Sequence, residues 1–217
     1  MTDFRTCPLI IFDFDGTLAD TASAIKHTAA AVLQRHGLPE ERMKDIPQLI
    51  GPPFPEAFTL VFGYSPEDAQ KITDDYRKIY GSLGPEAWPA FPGISELLQN
   101  LVAGGRTLAI ASSKRTAFVE HSVRDAGIDG FFTYLEGKPS DAPQTKAETI
   151  AKVLAAAGTE DALMIGDRHY DIEAAHEVGI PGIGALWGKT APREELERAG
   201  AEAIADTVSD LREILGA

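Results

Sequence analysis

Five short apolar runs limit what this 217-residue chain can become. They lie at Leu9–Phe12, Thr107–Ala111, Phe131–Leu135, Ala162–Ile165 and Ile180–Ala185. A short apolar run bounded by turn residues reads as a strand buried on both faces. Between the runs come segments with apolar residues at helical spacing, namely Ile94–Val102, Ala117–Asp125, Ala147–Ala156 and Ile172–Val178. Strand and helix in alternation imply right-handed crossovers and a parallel sheet covered on both sides, an α/β Rossmann-like core. The polar residues that end several runs then meet at the carboxyl edge of the sheet, where open α/β sheets bind ligands.

The segment from about Asp20 to Ala87 is of another kind. It holds no convincing strand, and Ser23–Arg35, Pro55–Phe62 and Pro66–Tyr80 read as helices, the first stopped by Gly37. An inserted helical domain is the expectation, with residues 1–17 and 88–217 forming the core and 18–87 the insert. Its most distinctive piece is Leu49-Ile50-Gly51-Pro52-Pro53-Phe54, either a helix breaker or a surface that faces a ligand.

The first run ends in Phe12-Asp13-Phe14-Asp15-Gly16-Thr17-Leu18. The strand period gives Asp13 and Asp15 a common direction. Two carboxylates brought together repel one another and are costly to desolvate unless they share a cation or a proton. A hard divalent ion fits, and magnesium above others, since it prefers oxygen ligands and takes one or two carboxylates together with a substrate phosphate. Gly16 permits a sharp turn whose exposed amides can cradle an anion.

These residues resemble the first motif of the haloacid dehalogenase superfamily, in its phosphatase branch. The resemblance implies that Asp13 is a nucleophile, forming an aspartyl-phosphate, and that Asp15 is the general acid and base. Attack by a carboxylate on phosphorus divides one hard displacement into two easier ones, and a second acid serves the leaving oxygen and the incoming water. Relatives that cleave carbon–halogen bonds lack the second aspartate, so Asp15 favours phosphoryl chemistry.

A transferring phosphoryl group also needs its oxygens held and its charge neutralised. The second run ends in Ala111-Ser112-Ser113-Lys114, and the resemblance makes Ser112 a donor to the phosphate with Ser113 beside it. Taken alone, such a serine is also a good helix cap. The fourth run ends in Gly166-Asp167-Arg168-His169-Tyr170-Asp171. On the resemblance Asp167 joins Asp13 and Asp15 around magnesium and Asp171 supports the site; both aspartates would equally suit a helix start. The family's lysine has two candidates, Lys138 in Gly137-Lys138-Pro139 and Lys146 in Thr145-Lys146-Ala147-Glu148. Lys146 is favoured, because a cation at a helix start is locally unfavourable and calls for a functional reason. Gly16 and Thr17 are auxiliary, and Gly51, Pro52 and Arg168 are candidate substrate contacts. His169 is a weaker candidate, the acid/base role being filled by Asp15.

The resemblance covers nearly the whole chain and is strongest to phosphoglycolate-phosphatase-like members with a helical C1-type cap, which closes over the site and chooses the leaving group. The expected activity is magnesium-dependent hydrolysis of a small phosphorylated metabolite. A sugar-phosphate mutase of the same superfamily and a 5′-nucleotidase specificity are the alternatives. A formal net charge of −13 argues against nucleic acid or an anionic membrane as partner. A single cysteine, Cys7, excludes an internal disulfide or a cysteine metal cluster. With no apolar run of membrane-spanning length, a cytoplasmic protein, monomer or homodimer, is the expectation.

Overall fold

A computed structural model describes residues 3–140 and 144–217. Its centre is a six-stranded sheet of β1 (Leu9–Phe12), β2 (Thr107–Arg115), β3 (Tyr134–Lys138), β4 (Ala162–Gly166), β5 (Gly182–Ala185) and β6 (Ala203–Ala205). The order is β3-β2-β1-β4-β5-β6 and every pairing is parallel. β1 therefore sits in the middle, with Leu9 in register with Thr107 on one side and Ala162 on the other.

The apolar runs are continuous because both faces of the sheet are covered. Ile10 and Phe12 of β1 enter one apolar cluster and Leu9 and Ile11 the other, as the strand period requires. β4 divides likewise, Leu163 and Ile165 against Ala162 and Met164. On the first face pack α4 (Ile94–Ala103), α5 (Thr116–Asp125) and α9 (Val208–Leu215); on the second, α6 (Lys146–Ala157) and α7 (His169–Glu177). The remaining core helix is α8 (Arg193–Arg198).

Among the described residues between β1 and β2 every regular element is helical. They are α1 (Ala22–Arg35), a 3₁₀ segment at Glu40–Leu49, α2 (Glu56–Phe62), α3 (Pro66–Tyr80), a short 3₁₀ turn and α4. α3 shows why: Ser65 accepts from the Asp68 amide as N-cap, Pro66 follows at the first position, and Ala69, Ile72, Thr73, Tyr76 and Tyr80 form one buried stripe. The two chain passages joining insert and sheet lie side by side. The Asp20 amide donates to Pro89 O at 2.9 Å and the Phe91 amide to Leu18 O at 3.0 Å.

Two expectations shift. The run Phe131–Leu135 is only partly strand: Asp129–Phe131 makes a 3₁₀ turn and β3 begins at Tyr134. Phe132 meets Phe12 edge to face, at 6.3 Å between ring centroids, so its apolar character serves the core without a ladder. The strand from Ile180 starts two residues later, at Gly182.

Candidate active site

Asp13 follows the last residue of β1, and its amide donates to Ile165 O of β4 at 2.9 Å. Gly166 ends β4 and Asp167 follows it, so neighbouring strands deliver both aspartates to the same edge. Asp171 comes back to this point from the first turn of α7, where its carboxylate accepts from the Arg168 amide at 3.1 Å. Carboxylate oxygens of Asp13, Asp167 and Asp171 all lie within 4.8 Å of one another.

Lys146 is the counter-charge. A capping box between Thr145 and Glu148 starts α6 at this lysine. Its ammonium reaches Asp13 Oδ1 at 2.7 Å and Asp171 Oδ1 at 2.8 Å, and its side chain is 8% exposed. Burial alone would depress the lysine, but the charges of Asp13 and Asp171 outweigh it and hold Lys146 firmly protonated. The other candidate lysine, Lys138, is buried at the end of β3 and stands 3.8 Å from Glu56 of α2.

One ammonium does not balance three carboxylates. Burial pushes Asp13 up to about 6, with Lys146 opposing and the neighbouring charges of Asp171 and Asp15 adding to the rise. Asp167 is also held well above the usual carboxylate range, by burial first and then by Asp171 and Asp13, although hydroxyls of Thr190 and Thr17 donate to it. A buried, all-oxygen cluster with uncompensated negative charge suits a hard divalent cation. Magnesium in excess is accordingly expected to stabilise the protein at neutral pH. At a hundred times its dissociation constant a ligand contributes about 2.7 kcal/mol, or roughly 5–10 °C in Tm for a chain of this size. A melt with and without chelator checks this.

The Asp15 side chain lies apart from these three carboxylates. Its carboxylate is not in the acidic group; it accepts from Lys114 Nζ at 2.6 Å. The strand alternation on which a shared direction depends ends too early: β1 stops at Phe12 and the chain turns at Gly16, where φ is +79°. Asp171, from α7, is the third carboxylate of the group. Gly16 is needed here twice over, since a Cβ would also collide with the Asp167 carboxylate. Gly16→Ala is therefore expected to weaken magnesium binding as well as to strain the turn, read as a smaller magnesium-induced Tm shift.

Ser112 is buried near the end of β2, and its Oγ accepts from the Lys114 amide at 3.3 Å. It lines, with Ser113, a cavity of about 110 Å³ that also touches Asp13, Asp15, Lys146 and Asp167. The helical insert supplies the opposite wall, from Gly51 and Pro52 to Tyr76 and Tyr80. Thr17 donates to Asp167 Oδ1 at 3.1 Å. Arg168 donates from Nε to Glu195 at 2.8 Å and from Nη1 to the Ile50 carbonyl, which ties the Asp167 loop to the insert. A Cβ on Gly51 would lie 2.6 Å from that guanidinium. His169 turns to Glu195, at 2.8 Å, and is not among the residues lining the cavity. Lys114, Thr190 and Tyr80 are site neighbours that the sequence reading did not assign. Lys114 ends the second apolar run, next to Ser112 and Ser113; Thr190 carries no signal of its own, lying 23 residues from the aspartate it contacts.

The chain resembles proteins of known sequence and structure along most of its length. It is 34% identical over 184 residues to a 5′-nucleotidase of Pseudomonas aeruginosa, which covers 83% of each chain. A phosphoglycolate phosphatase of Agrobacterium fabrum is 31% identical over 210 residues, 91% of this chain and 88% of its own. The crystal structure of a "predicted phosphatase" from Clostridium acetobutylicum superposes with a TM-score of 0.89 at 30% identity, covering 96% of this chain and 98% of the other. Residues 10–185 match the family described as haloacid dehalogenase-like hydrolase. With the parallel sheet and the aspartates at its carboxyl edge, that match shows that this chain belongs to the haloacid dehalogenase-like hydrolase family.

Proposed function

We propose that the protein is a magnesium-dependent phosphomonoester hydrolase working through an aspartyl-phosphate on Asp13, with a small phosphorylated metabolite as substrate. The observation that carries the reading is the placement of Lys146 at 2.7 Å from Asp13 and 2.8 Å from Asp171, in a cavity that also holds Ser112 and Asp167. The relatives named as phosphoglycolate phosphatase and 5′-nucleotidase support the same class of substrate.

The chemistry follows from the positions. An Asp13 carboxylate oxygen attacks phosphorus, and the P–O bond to the leaving group breaks. Ser112 donates a hydrogen bond to a phosphoryl oxygen, and Lys146 places its charge against the same group. Asp13, Asp167 and Asp171 offer the oxygens that would hold magnesium, which when bound supplies positive charge against the phosphoryl oxygens. Asp15, on the side of the cavity toward Lys114 and the insert, gives a proton to the leaving oxygen and later takes one from the water that hydrolyses the intermediate. Residues 18–87 act as a cap that excludes bulk water while residues 1–17 and 88–217 hold the catalytic groups.

The test is inorganic phosphate release from phosphoglycolate, nucleoside monophosphates and sugar phosphates, with magnesium and with chelator. Release that needs magnesium supports the reading. Conversion of one sugar phosphate into its isomer without net release would point to the mutase instead, and no turnover of any member would overturn a phosphoryl-transfer function.

A further inference from the structure

The residue after Asp167 has its backbone in one part of the protein and its side chain in the other. Arg168 is the N-cap of α7, and its amide donates to the Asp171 carboxylate at 3.1 Å. Its backbone therefore stands between two of the three buried carboxylates. The side chain, 17% exposed, crosses to the insert, where Nη1 donates to the Ile50 carbonyl. Ile50 opens the Ile50-Gly51-Pro52 turn, which lines the cavity.

Both sides of this contact are shaped for it. On the insert, Gly51 has φ of +113°, and a Cβ there would lie 2.6 Å from Arg168 Nη1, 3.2 Å from Cζ and 3.4 Å from Cγ. Glycine thus supplies both the backbone conformation and the room for the arginine. On the core, Glu195 of α8 accepts from Arg168 Nε at 2.8 Å and from the His169 amide at 3.1 Å. A carboxylate on Nε fixes the plane of the guanidinium and so aims Nη1. Among the described residues Glu195 does not line the cavity, so it reaches the site through Arg168.

Two other cations of the core approach the insert. Lys114 reaches Tyr80 Oη at 3.2 Å but is shared with Asp15, and Lys138 stands 3.8 Å from Glu56, beyond hydrogen-bond distance. Arg168 is the one with a fitted partner on each side.

We propose that Arg168 is a positioning residue that docks the insert on the Asp167 loop and holds it closed over the site before substrate arrives. Arg168 and Gly51 then serve one another, and Glu195 serves both. Without this contact substrate must close the insert itself, and apparent affinity falls by the fraction of molecules that are closed. The consequence for turnover rests on the hydrolase reading above; the docking does not.

The first arm of the test needs no substrate. Spin labels are placed at Leu60→Cys on α2, where the side chain is 71% exposed, and at Glu177→Cys on exposed α7, in a Cys7→Ala background. Pulsed dipolar spectroscopy on the full chain is expected to give one narrow distance distribution. Arg168→Ala adds a second population, and Glu195→Ala moves the same way to a smaller extent. The second arm is steady-state kinetics with magnesium on the best ester of the panel. Loss of a charge-assisted hydrogen bond raises KM about tenfold or more and leaves kcat within about threefold, since bound substrate then holds the insert. An unchanged distance distribution in both variants overturns the docking; if KM nevertheless rises, Arg168 contacts substrate directly. A fall in kcat at constant KM overturns it too and makes Arg168 a residue that orients Asp167. Should Arg168→Ala fail to fold, Glu195→Ala decides by the same readings. No hydrolysis of any ester by the wild type would overturn the hydrolase reading, with the distance measurement still deciding the docking.

Discussion

Asp13→Asn is expected to lower phosphate release by about four orders of magnitude or more, the scale on which removal of a catalytic nucleophile acts. The amide keeps the shape of the side chain and loses the attacking oxygen. Its effect on folding is expected to be small, within about 1 kcal/mol, because two terms oppose each other. The substitution removes one partner of Lys146, but Asp171 remains 2.8 Å from the same ammonium. It also removes a carboxylate that burial first, and then the charges of Asp171 and Asp15, raise to about 6. Initial rates and a thermal melt on the same preparation separate the two effects. Comparable loss of activity and of fold would make Asp13 a structural residue.

The second large effect belongs to Lys146. Lys146→Met leaves Asp13, Asp167 and Asp171 buried together without the ammonium that now bridges two of them. Breaking a buried pair from one side costs about 3–5 kcal/mol, which for a chain of this length is roughly 6–20 °C in Tm. Activity falls too, by about a thousandfold, since a preorganised donor to the developing charge is lost. The stability loss is expected in chelator at pH 7 and to shrink on acidification. Asp13 and Asp167 are raised above their unfolded values, so what they contribute to stability is fully present below about pH 4 and lost as pH rises through the folded value, about 6 for Asp13. Protonating them removes the charge that Lys146 offsets. A variant as stable as wild type at pH 7 without metal would show that the ammonium does not hold this cluster together.

Much of this is legible in the amino-acid sequence. Leu9–Phe12 and Ala162–Ile165 are apolar without interruption because both faces of a central parallel strand are buried, so length and boundary gave the strands and the alternation gave the sheet. Asp13, Asp167 and Lys146 come together because each follows or opens an element that ends at one edge. Less visible was anything decided by a turn or a distant contact. Asp15 turns away because the strand stops at Phe12, a boundary that a run continuing through Phe14 conceals. β6 is three residues long, Ala203–Ala205, and leaves no run to read. Lys114 lay in plain view, but its meaning depends on Asp15 and on Tyr80, 34 residues away in the insert. Thr190 reaches Asp167 from a loop after β5, a contact that no local pattern announces.

The central claim is that Asp13 carries the phosphoryl group between the two halves of the reaction. Its most direct test is a rapid acid quench of wild-type enzyme with magnesium and excess substrate, followed by peptide mass spectrometry. The account predicts one phosphoryl group on the peptide spanning Asp13, absent from Asp13→Asn and from samples quenched after substrate is exhausted. Steady release of phosphate by Asp13→Asn at the wild-type rate, or a phosphoryl group mapped to another side chain, would contradict it.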